Sequence, residues 1–222
     1  MALRLPDPRA ALVIVGGTAI FLAIPAWAWG SWSEFVDHPA RLGACLLAVM
    51  AGVAALFSGA NLGGLVKKDA RTPLVIAMVM SVGLVQAWLP AYADRHDLAT
   101  LDGDTTRYAG LALLLAGLVL RVGPMFALGS RFKPPWMVQD EHRLVTTGFY
   151  SFIRHPSYLG VFLGMAGWFL VFRCGAGFFL ALLLVPASIP SIRKEESMLL
   201  AEFGEEYAAY KKRTWRLLPF IC

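Results

Sequence analysis

The side chains best suited to chemistry lie in the second half of the sequence, within one turn-rich segment. Its centre is a run of five residues: Arg154, His155, Pro156, Ser157 and Tyr158. Proline is favoured at the first position of a helix, so Pro156 predicts a helix start. Backbone N–H groups at a helix start attract anions such as a carboxylate, and Arg154 and His155 flank this one. The run therefore predicts an anion site, unless its Arg and His only contact phospholipid headgroups.

Two adjacent carboxylates, Glu195 and Glu196, form a second candidate site just beyond Pro190. Apolar residues follow at helical spacing and predict an amphipathic helix: Leu199, Leu200, Phe203, Tyr207 and Tyr210. A carboxylate pair at a membrane mouth is costly when it is buried without partners. The pair predicts a site for hydroxyl groups, an ammonium or a sulfonium, or else the solvated face of a helix that lies on the membrane.

Metal and nucleotide motifs are missing from the sequence. The four His residues lie far apart, and neither H-E-x-x-H nor C-x-x-C occurs, so we expect no metal. The motifs G-x-S-x-G and G-x-G-x-x-G do not occur either, which excludes a soluble Rossmann-type cofactor fold. No run of Lys and Arg is interleaved with aromatic residues, so we expect no nucleic-acid partner.

The composition indicates an integral membrane protein, with the lipid bilayer as a partner. Of the 222 residues, 58% are hydrophobic and 16% are charged, whereas soluble domains have about 25% charged residues. Such a chain has too little polar surface to cover a soluble domain. We therefore expect an all-α, multi-pass protein of the inner or plasma membrane, or an equivalent membrane.

Six apolar runs predict transmembrane helices. They lie at about residues 10–30, 42–66, 72–93, 108–128, 157–172 and 175–190. The last two are short and close together, so they predict a helical hairpin. Basic and acidic loops alternate along the chain, which predicts that both termini and the active site are cytoplasmic. We expect two regions: a four-span membrane region at 1–128 and a functional region at 129–222.

Six short sequence blocks follow one another in order between residues 138 and 221. They are Leu144–Tyr150, Arg154–Gly160, Glu195–Glu196, Phe203–Tyr207, Tyr210–Arg213 and Leu218–Ile221. In this combination the C-terminal third resembles the isoprenylcysteine carboxyl methyltransferases. That family consists of membrane enzymes that use S-adenosylmethionine to methylate a prenylated C-terminal cysteine carboxylate. The resemblance implies a methyltransferase core built from a cofactor loop, the helical hairpin and the amphipathic tail.

The resemblance also implies which residues contact S-adenosylmethionine. These are Gln139, His142, Arg143, Leu144, Val145, Tyr150, His155, Pro156, Ser157, Tyr158 and Glu195. In the family a substrate-binding Arg stands four residues before the cofactor-binding Glu, where this chain has Ser191. Either Arg193 takes that role from a shifted turn, or the substrate differs.

Methyl transfer to a carboxylate is compatible with these residues, because a carboxylate is ionised at neutral pH and needs no general base. We expect Arg154 or Arg193 to orient the acceptor carboxylate, with Glu196 as a third catalytic residue. The acceptor is expected to be an isoprenylcysteine-like or other lipophilic carboxylate. Its lipid tail would enter between the spans from the bilayer.

Three other functions remain open on the sequence. Phospholipid N-methylation would use Glu195 and Glu196 to hold a cationic acceptor. A sterol-type membrane reductase would bind NADPH, whose 2′-phosphate calls for more clustered Arg and Lys than the segment 142–160 contains. A scaffold or small transporter is the third alternative, but the first four spans contain almost no charge that could form an ion or proton path.

Overall fold

The computed structural model describes residues 8–57, 72–128 and 144–218. Seven α-helices lie in these ranges: α1 (Pro8–Trp29), α2 (Trp32–Asp37), α3 (Pro39–Phe57), α4 (Thr72–Arg95), α5 (Asp104–Leu128), α6 (Pro156–Val171) and α7 (Gly175–Lys212). A 3₁₀-helix, Gly148–Ser151, lies between α5 and α6. Within the described ranges, bridges outside the helices are limited to two isolated pairs, Thr100–Cys174 and Ile153–Trp215. The prediction of an all-α protein is confirmed.

The predicted apolar runs coincide with helices, and α6 begins at Pro156 as its proline predicts. The second run is described only as far as Phe57. Four described helices are long and apolar enough to cross a membrane: Ala11–Trp29, Pro39–Phe57, Asp104–Pro124 and Gly175–Lys212. A shorter apolar helix, Pro156–Val171, accompanies them. The chain is an integral membrane protein.

The last helix differs from the prediction. The sequence predicts a helix that ends near Pro190 and a separate amphipathic helix, whereas α7 continues through Pro190. The residue with non-helical dihedral angles inside α7 is Gly204, with a φ of 52° and a ψ of −123°, and the helix is kinked there. Glycine adopts a positive φ without the steric cost that a Cβ brings. The apolar start of α7 and its carboxylate-bearing part therefore form one continuous element.

Helices α5 and α6 approach each other at a glycine seam, which we define as Gly117 of α5 and Gly160 of α6. A Cβ on Gly117 would lie 2.7 Å from the carbonyl oxygen of Gly160. A Cβ on Gly160 would lie 2.7 Å from the backbone nitrogen of Arg121. Small residues allow this kind of backbone approach between helices in membranes. The seam consequently fixes Arg121 beside the first turns of α6.

One end of the bundle is joined by a group of ionic side chains that we call the Asp94 cluster: Arg41, Asp94, Arg107 and Arg173. Arg107 donates from two nitrogens to the two Asp94 oxygens, at 2.6 and 2.8 Å. Arg173 Nε donates to Asp94 Oδ1 at 2.8 Å, and Arg41 Nη1 lies 3.6 Å from Oδ2. Arg41 and Arg107 also donate to backbone carbonyl groups. The cluster connects α3, α4 and α5 to the turn between α6 and α7.

An aromatic core lies next to the Asp94 cluster. The rings of Phe35 and Phe172 are stacked with their centroids 5.8 Å apart, and both side chains are fully buried. The indole of Trp168 donates to the carbonyl group of Gln86 at 2.9 Å. These contacts pack α2 and α4 against α6 at the end of the bundle where Asp94 is buried.

Candidate active site

The other end of the bundle is closed by the C-terminal tail, which we define as residues 213–218. Its backbone pairs with the segment that leads into α6. The backbone nitrogen of Arg154 donates to the carbonyl oxygen of Trp215 at 2.8 Å, and that of His155 donates to the carbonyl oxygen of Arg216 at 3.1 Å. This pairing holds the predicted anion site in one conformation and brings Arg216 to α7.

A second ionic group, the Glu196 cluster, consists of Arg154, Glu196, Lys211 and Arg216. Arg154 Nε donates to Glu196 Oε1 at 2.9 Å, and Arg216 Nη2 donates to Oε2 at 2.9 Å. Lys211 Nζ lies 3.2 Å from Oε2. Arg154 also donates to the carbonyl groups of Lys211 and Thr214. The buried Glu196 carboxylate is thus surrounded by cations, and it joins α7 to the tail.

His155 lies between the two adjacent carboxylates of α7. Its Nδ1 is 3.9 Å from Glu195 Oε2, and its Nε2 is 3.6 Å from Glu196 Oε1. Both distances are too long for a hydrogen bond. The ring of Tyr158 stands edge-on to the imidazole with the centroids 5.7 Å apart. The imidazole is buried without a hydrogen bond to either carboxylate, although both are near.

Four buried side-chain atoms lack a hydrogen-bond partner among the described residues, and all of them belong to this region. They are His155 Nε2, Tyr158 OH, Glu195 Oε2 and Tyr207 OH. Buried polar groups are almost always hydrogen-bonded, because each unsatisfied one costs about 1–3 kcal/mol. A polar ligand that bonds to these atoms would remove that cost. Their grouping therefore indicates a ligand site at the start of α6 and the facing side of α7.

Tyr150 and Arg121 lie beside this group of atoms. The Tyr210 hydroxyl donates to the carbonyl group of Tyr150 at 2.8 Å, which joins the 3₁₀-helix to α7. Burial raises the pKa of the Tyr150 hydroxyl well above its ordinary value, so it stays protonated and can donate a hydrogen bond. Arg121 donates to Ser157 Oγ, and its charge acts on both Tyr150 and Tyr158.

The structure brings many of the predicted residues together. His155, Tyr158 and Glu195 carry unpartnered atoms, whereas Arg154 and Glu196 pair with each other. Seven further predicted residues remain: Leu144, Val145 and Tyr150 at or just before the 3₁₀-helix, Pro156 and Ser157 in the first turn of α6, and Ser191 and Arg193 on α7. Three predicted cofactor residues lie outside the described residues: Gln139, His142 and Arg143. Within the described ranges, no group of three or more His, Cys, Asp or Glu residues is arranged to hold a metal.

Arg193 does not lie with the other predicted site residues. The backbone between Ser191 and Glu196 has helical dihedral angles, since the non-helical residue of α7 is Gly204. Residues two apart on a helix lie on nearly opposite faces, so exposed Arg193 points away from Glu195. Ser191 shares the face of Glu195. The shifted turn that would bring Arg193 to the site does not occur in this helix.

Four residues of the site region have no predicted ligand-binding role: Arg121, Tyr207, Lys211 and Arg216. The sequence presents Lys211 and Arg216 only as charges of a basic tail, because their partner Glu196 lies many residues earlier. Arg121 stands near the end of an apolar run, where a charged residue is costly and usually functional. That cost is the signal by which the sequence points to Arg121.

This region is similar to a known protein family. Residues 110–201 match the model of the isoprenylcysteine carboxyl methyltransferase (ICMT) family. The matched stretch includes the glycine seam, the start of α6 and both adjacent carboxylates, and it begins earlier in the chain than the short blocks that carry the resemblance. The resemblance to the family is confirmed.

Curated relatives agree with the family match. The chain is 40% identical over 119 residues to a protein-S-isoprenylcysteine O-methyltransferase of Homo sapiens, 34% identical over 128 residues to one of Tribolium castaneum, and 33% identical over 118 residues to a probable one of Oryza sativa. Each match covers about half of this chain. The matches span 40%, 41% and 61% of the three relatives. The sequence likeness is therefore concentrated in one half of this chain.

A solved structure resembles the chain over a greater length. The structure of a eukaryotic intramembrane Ras methyltransferase, ICMT, superposes with a TM-score of 0.58 and covers 96% of this chain and 77% of that one. The two sequences are 22% identical, so this likeness concerns the fold. The ICMT membrane fold accordingly extends over the N-terminal helices, where the sequence carries no recognisable motif.

Proposed function

We propose that this protein is a membrane methyltransferase that uses S-adenosylmethionine to methylate the carboxylate of an isoprenylcysteine-like or other lipophilic substrate. The observation that carries the proposal is the group of four unpartnered buried atoms on His155, Tyr158, Glu195 and Tyr207. These residues belong to three of the sequence blocks that carry the family resemblance: Arg154–Gly160, Glu195–Glu196 and Phe203–Tyr207. The names of the curated relatives support O-methylation, and no observation favours N-methylation or reduction.

The unpartnered atoms fit the polar groups of S-adenosylmethionine. Glu195 Oε2 can accept hydrogen bonds from a pair of hydroxyl groups or from an ammonium, and the hydroxyls of Tyr158 and Tyr207 can donate to a carboxylate or a ring nitrogen. Backbone N–H groups at the start of α6 suit the carboxylate of the cofactor. We assign the following residues to the same site: Gln139, His142, Arg143, Leu144, Val145, Tyr150, Pro156 and Ser157.

The protein's share of the reaction is to bind and align the reactants. When bound, S-adenosylmethionine supplies an electrophilic methyl group, so the ester bond forms as the methyl–sulfur bond breaks, with its electron pair left on sulfur. No proton has to move, because the acceptor carboxylate is already ionised. Alignment of the two groups and exclusion of water are what this chain's residues can contribute.

Arg154 and Glu196 fit a positioning role better than contact with the substrate. Their side chains pair with each other and with the tail, and together they hold His155 and the carboxylate-bearing part of α7 in place. Removal of either partner would leave a buried charge uncompensated. We therefore propose that neither of these two side chains contacts the acceptor carboxylate.

The proposal includes a topology in the membrane. Six spans, with α6 and α7 as a hairpin, would place the Glu196 cluster and both termini on the cytoplasmic side. The Asp94 cluster would then lie at the opposite surface of the bilayer. Residues 129–222 would form the methyltransferase core and residues 1–128 the membrane region through which a lipid tail approaches.

The cofactor can be tested by calorimetric titration of the detergent-purified protein with S-adenosylmethionine and, separately, with NADPH. We expect binding of S-adenosylmethionine only, and a loss of affinity of about tenfold or more in Glu195→Gln, because a charged hydrogen-bond acceptor is removed. His155→Ala should weaken binding as well. Glu205→Gln, an exposed carboxylate of the same helix, serves as the matched control and should bind as the wild type does.

The possible outcomes separate the alternatives. Protein that binds NADPH but does not bind S-adenosylmethionine would refute the methyltransferase proposal. Equal binding by Glu195→Gln and the wild type would show that the cofactor lies elsewhere. Once binding is established, transfer of a labelled methyl group to an S-farnesylated N-acetylcysteine, compared with a phospholipid, identifies the acceptor class.

A further inference from the structure

The end of α7 turns back on the rest of the helix at Gly204. Lys211 Nζ lies 3.2 Å from Glu196 Oε2. These residues are 15 positions apart, so a straight helix would separate their backbones by about 22 Å, which is farther than the two side chains can span. The kink at Gly204 therefore reverses the direction of the chain. We call residues 205–218, which comprise the last turns of α7 and the tail, the fold-back segment.

Gly204 has the properties of a hinge for this segment. Its φ of 52° and ψ of −123° lie in a region that residues with a Cβ rarely adopt. A Cβ built on Gly204 would meet no atom of the described residues within 4 Å. The glycine is therefore required by the backbone conformation and not by packing. Since one residue joins the fold-back segment to the rest of α7, a change in its dihedral angles turns the whole segment.

Polar contacts hold the fold-back segment against the site. The backbone of Trp215 accepts from the nitrogen of Arg154 at 2.8 Å and donates to the carbonyl oxygen of Phe152 at 3.0 Å. Arg216 Nη2 donates to Glu196 Oε2 at 2.9 Å. These contacts join the segment to α7 and to the residues before α6. All of them would break if the segment turned away about its hinge.

The ligand site lies beneath the fold-back segment. The four side-chain atoms that have no partner among the described residues are buried, so a ligand cannot reach them in this conformation. Tyr207 belongs to the fold-back segment, whereas Tyr158 belongs to α6 and Glu195 to the part of α7 before the kink. A ligand bonded to all three residues would bridge the two sides of the hinge. Such a ligand would favour the closed conformation that the structure shows.

We propose that the fold-back segment is the gate of the cofactor site. It turns about Gly204 to admit S-adenosylmethionine, closes over the bound donor and is held closed by the Glu196 cluster. This inference rests on the proposed methyltransferase function. Closure excludes water from the reacting groups and completes the site with Tyr207. Uptake and release of the donor are consequently limited by the movement of this segment.

The test fastens the segment with a disulfide bond. Ile153 and Trp215 form a bridge pair, and the Cβ atoms of paired residues lie close to the spacing that a disulfide needs. The protein is the full chain in detergent with Ile153→Cys, Trp215→Cys and Cys222→Ser, and mass spectrometry verifies the cross-link. Cys45 and Cys174 remain, because both are buried. The reduced form of the same protein is the matched control.

Labelled S-adenosylmethionine is added either before or after the disulfide forms. We expect a disulfide formed first to slow uptake of the donor by about tenfold or more, and one formed on the loaded protein to slow its release by as much. Reduction should restore both rates. Unchanged rates in the cross-linked protein would overturn the inference, because the donor would then pass by another route. Reduced protein that binds no donor would instead refute the proposed function.

A second variant acts on the hinge without a cross-link. Gly204→Ala adds no steric contact but penalises the positive φ, so it should favour the open segment and speed release of the donor by about tenfold. Trypsin should also cleave the basic tail faster. Gly83→Ala is the matched control, since a Cβ there meets no described atom within 4 Å and the backbone is helical. Unchanged release and cleavage in Gly204→Ala would overturn the role of this residue as the hinge.

Discussion

The two ionic clusters of this protein are built from the same residue types but are completed to different degrees. Around Asp94, both carboxylate oxygens accept charged hydrogen bonds, and the arginines bond to further carbonyl groups. Around Glu196 the carboxylate is equally well paired, yet four polar atoms within or next to the cluster have no partner among the described residues. A completed cluster can only stabilise the fold, whereas an incomplete one can also bind.

One residue, Glu195, accounts for most of the difference between the two clusters. Glu195 is adjacent to Glu196 in sequence, but the helix turns it toward His155 and Tyr158 rather than toward the cations of the tail. Unsatisfied buried groups lower stability in the absence of a ligand, and proteins tolerate them mainly at functional sites. The comparison predicts that charge removal destabilises the protein most at Asp94, less at Glu196 and not at Glu195.

The largest effect is expected at Asp94. Asp94→Asn removes the buried charge that compensates Arg41, Arg107 and Arg173, which should destabilise the fold by about 3–5 kcal/mol. Thermal unfolding in detergent, followed by tryptophan fluorescence, measures this loss. Asp102→Asn is the control, since Asp102 is exposed in the same loop region. A midpoint like that of the wild type would contradict the view that this cluster fastens the bundle.

A smaller effect is expected at Glu196. Glu196→Gln keeps the shape but removes the charge that attracts Arg154, Lys211 and Arg216, so the tail should detach at a cost of about 1–3 kcal/mol. Limited trypsin digestion reports this change, because detachment exposes the basic residues of the tail. Glu205→Gln should leave the digestion rate as it is in the wild type. Unchanged protection of the tail in Glu196→Gln would show that backbone pairing alone holds it.

The smallest effect on stability is expected at Glu195. Its Oε2 has no hydrogen bond to lose, so Glu195→Gln should leave the unfolding midpoint of the ligand-free protein unchanged or raise its stability by about 1 kcal/mol. The same measurement with S-adenosylmethionine present should then show less stabilisation than in the wild type. A destabilisation as large as that of Glu196→Gln would mean that Glu195 is structural, and it would remove the distinction between the two carboxylates.

Much of the fold is predictable because it depends on local signals. Apolar runs predict the helices, and Pro156 correctly predicts the first residue of α6. The length of α7 is not predictable in this way, since Pro190 and the charges after it look like a boundary although the helix continues. The N-terminal helices share the fold of a solved methyltransferase without recognisable motifs, because residues that face lipid need only be apolar.

The site is predictable to the extent that its residues lie close together in sequence. His155, Tyr158 and Glu195 stand in recognisable blocks, and the structure brings them together. The pairing of Arg154 with Glu196, and of the tail with the segment before α6, joins distant parts of the chain and has no local signature. The same holds for Arg121, whose neighbour Ser157 is defined only by the packing of two helices.

The placement of the Asp94 cluster has a mechanical consequence. Its ion pairs tie α3, α4 and α5 to the turn between α6 and α7 at one end of the bundle. At the other end, the described ion pairs of the Glu196 cluster join α7 to the segment before α6 and to the tail. The two ends are therefore fastened through different parts of the chain. A substitution that weakens the contacts at the site end should leave the pairing of α3, α4 and α5 intact.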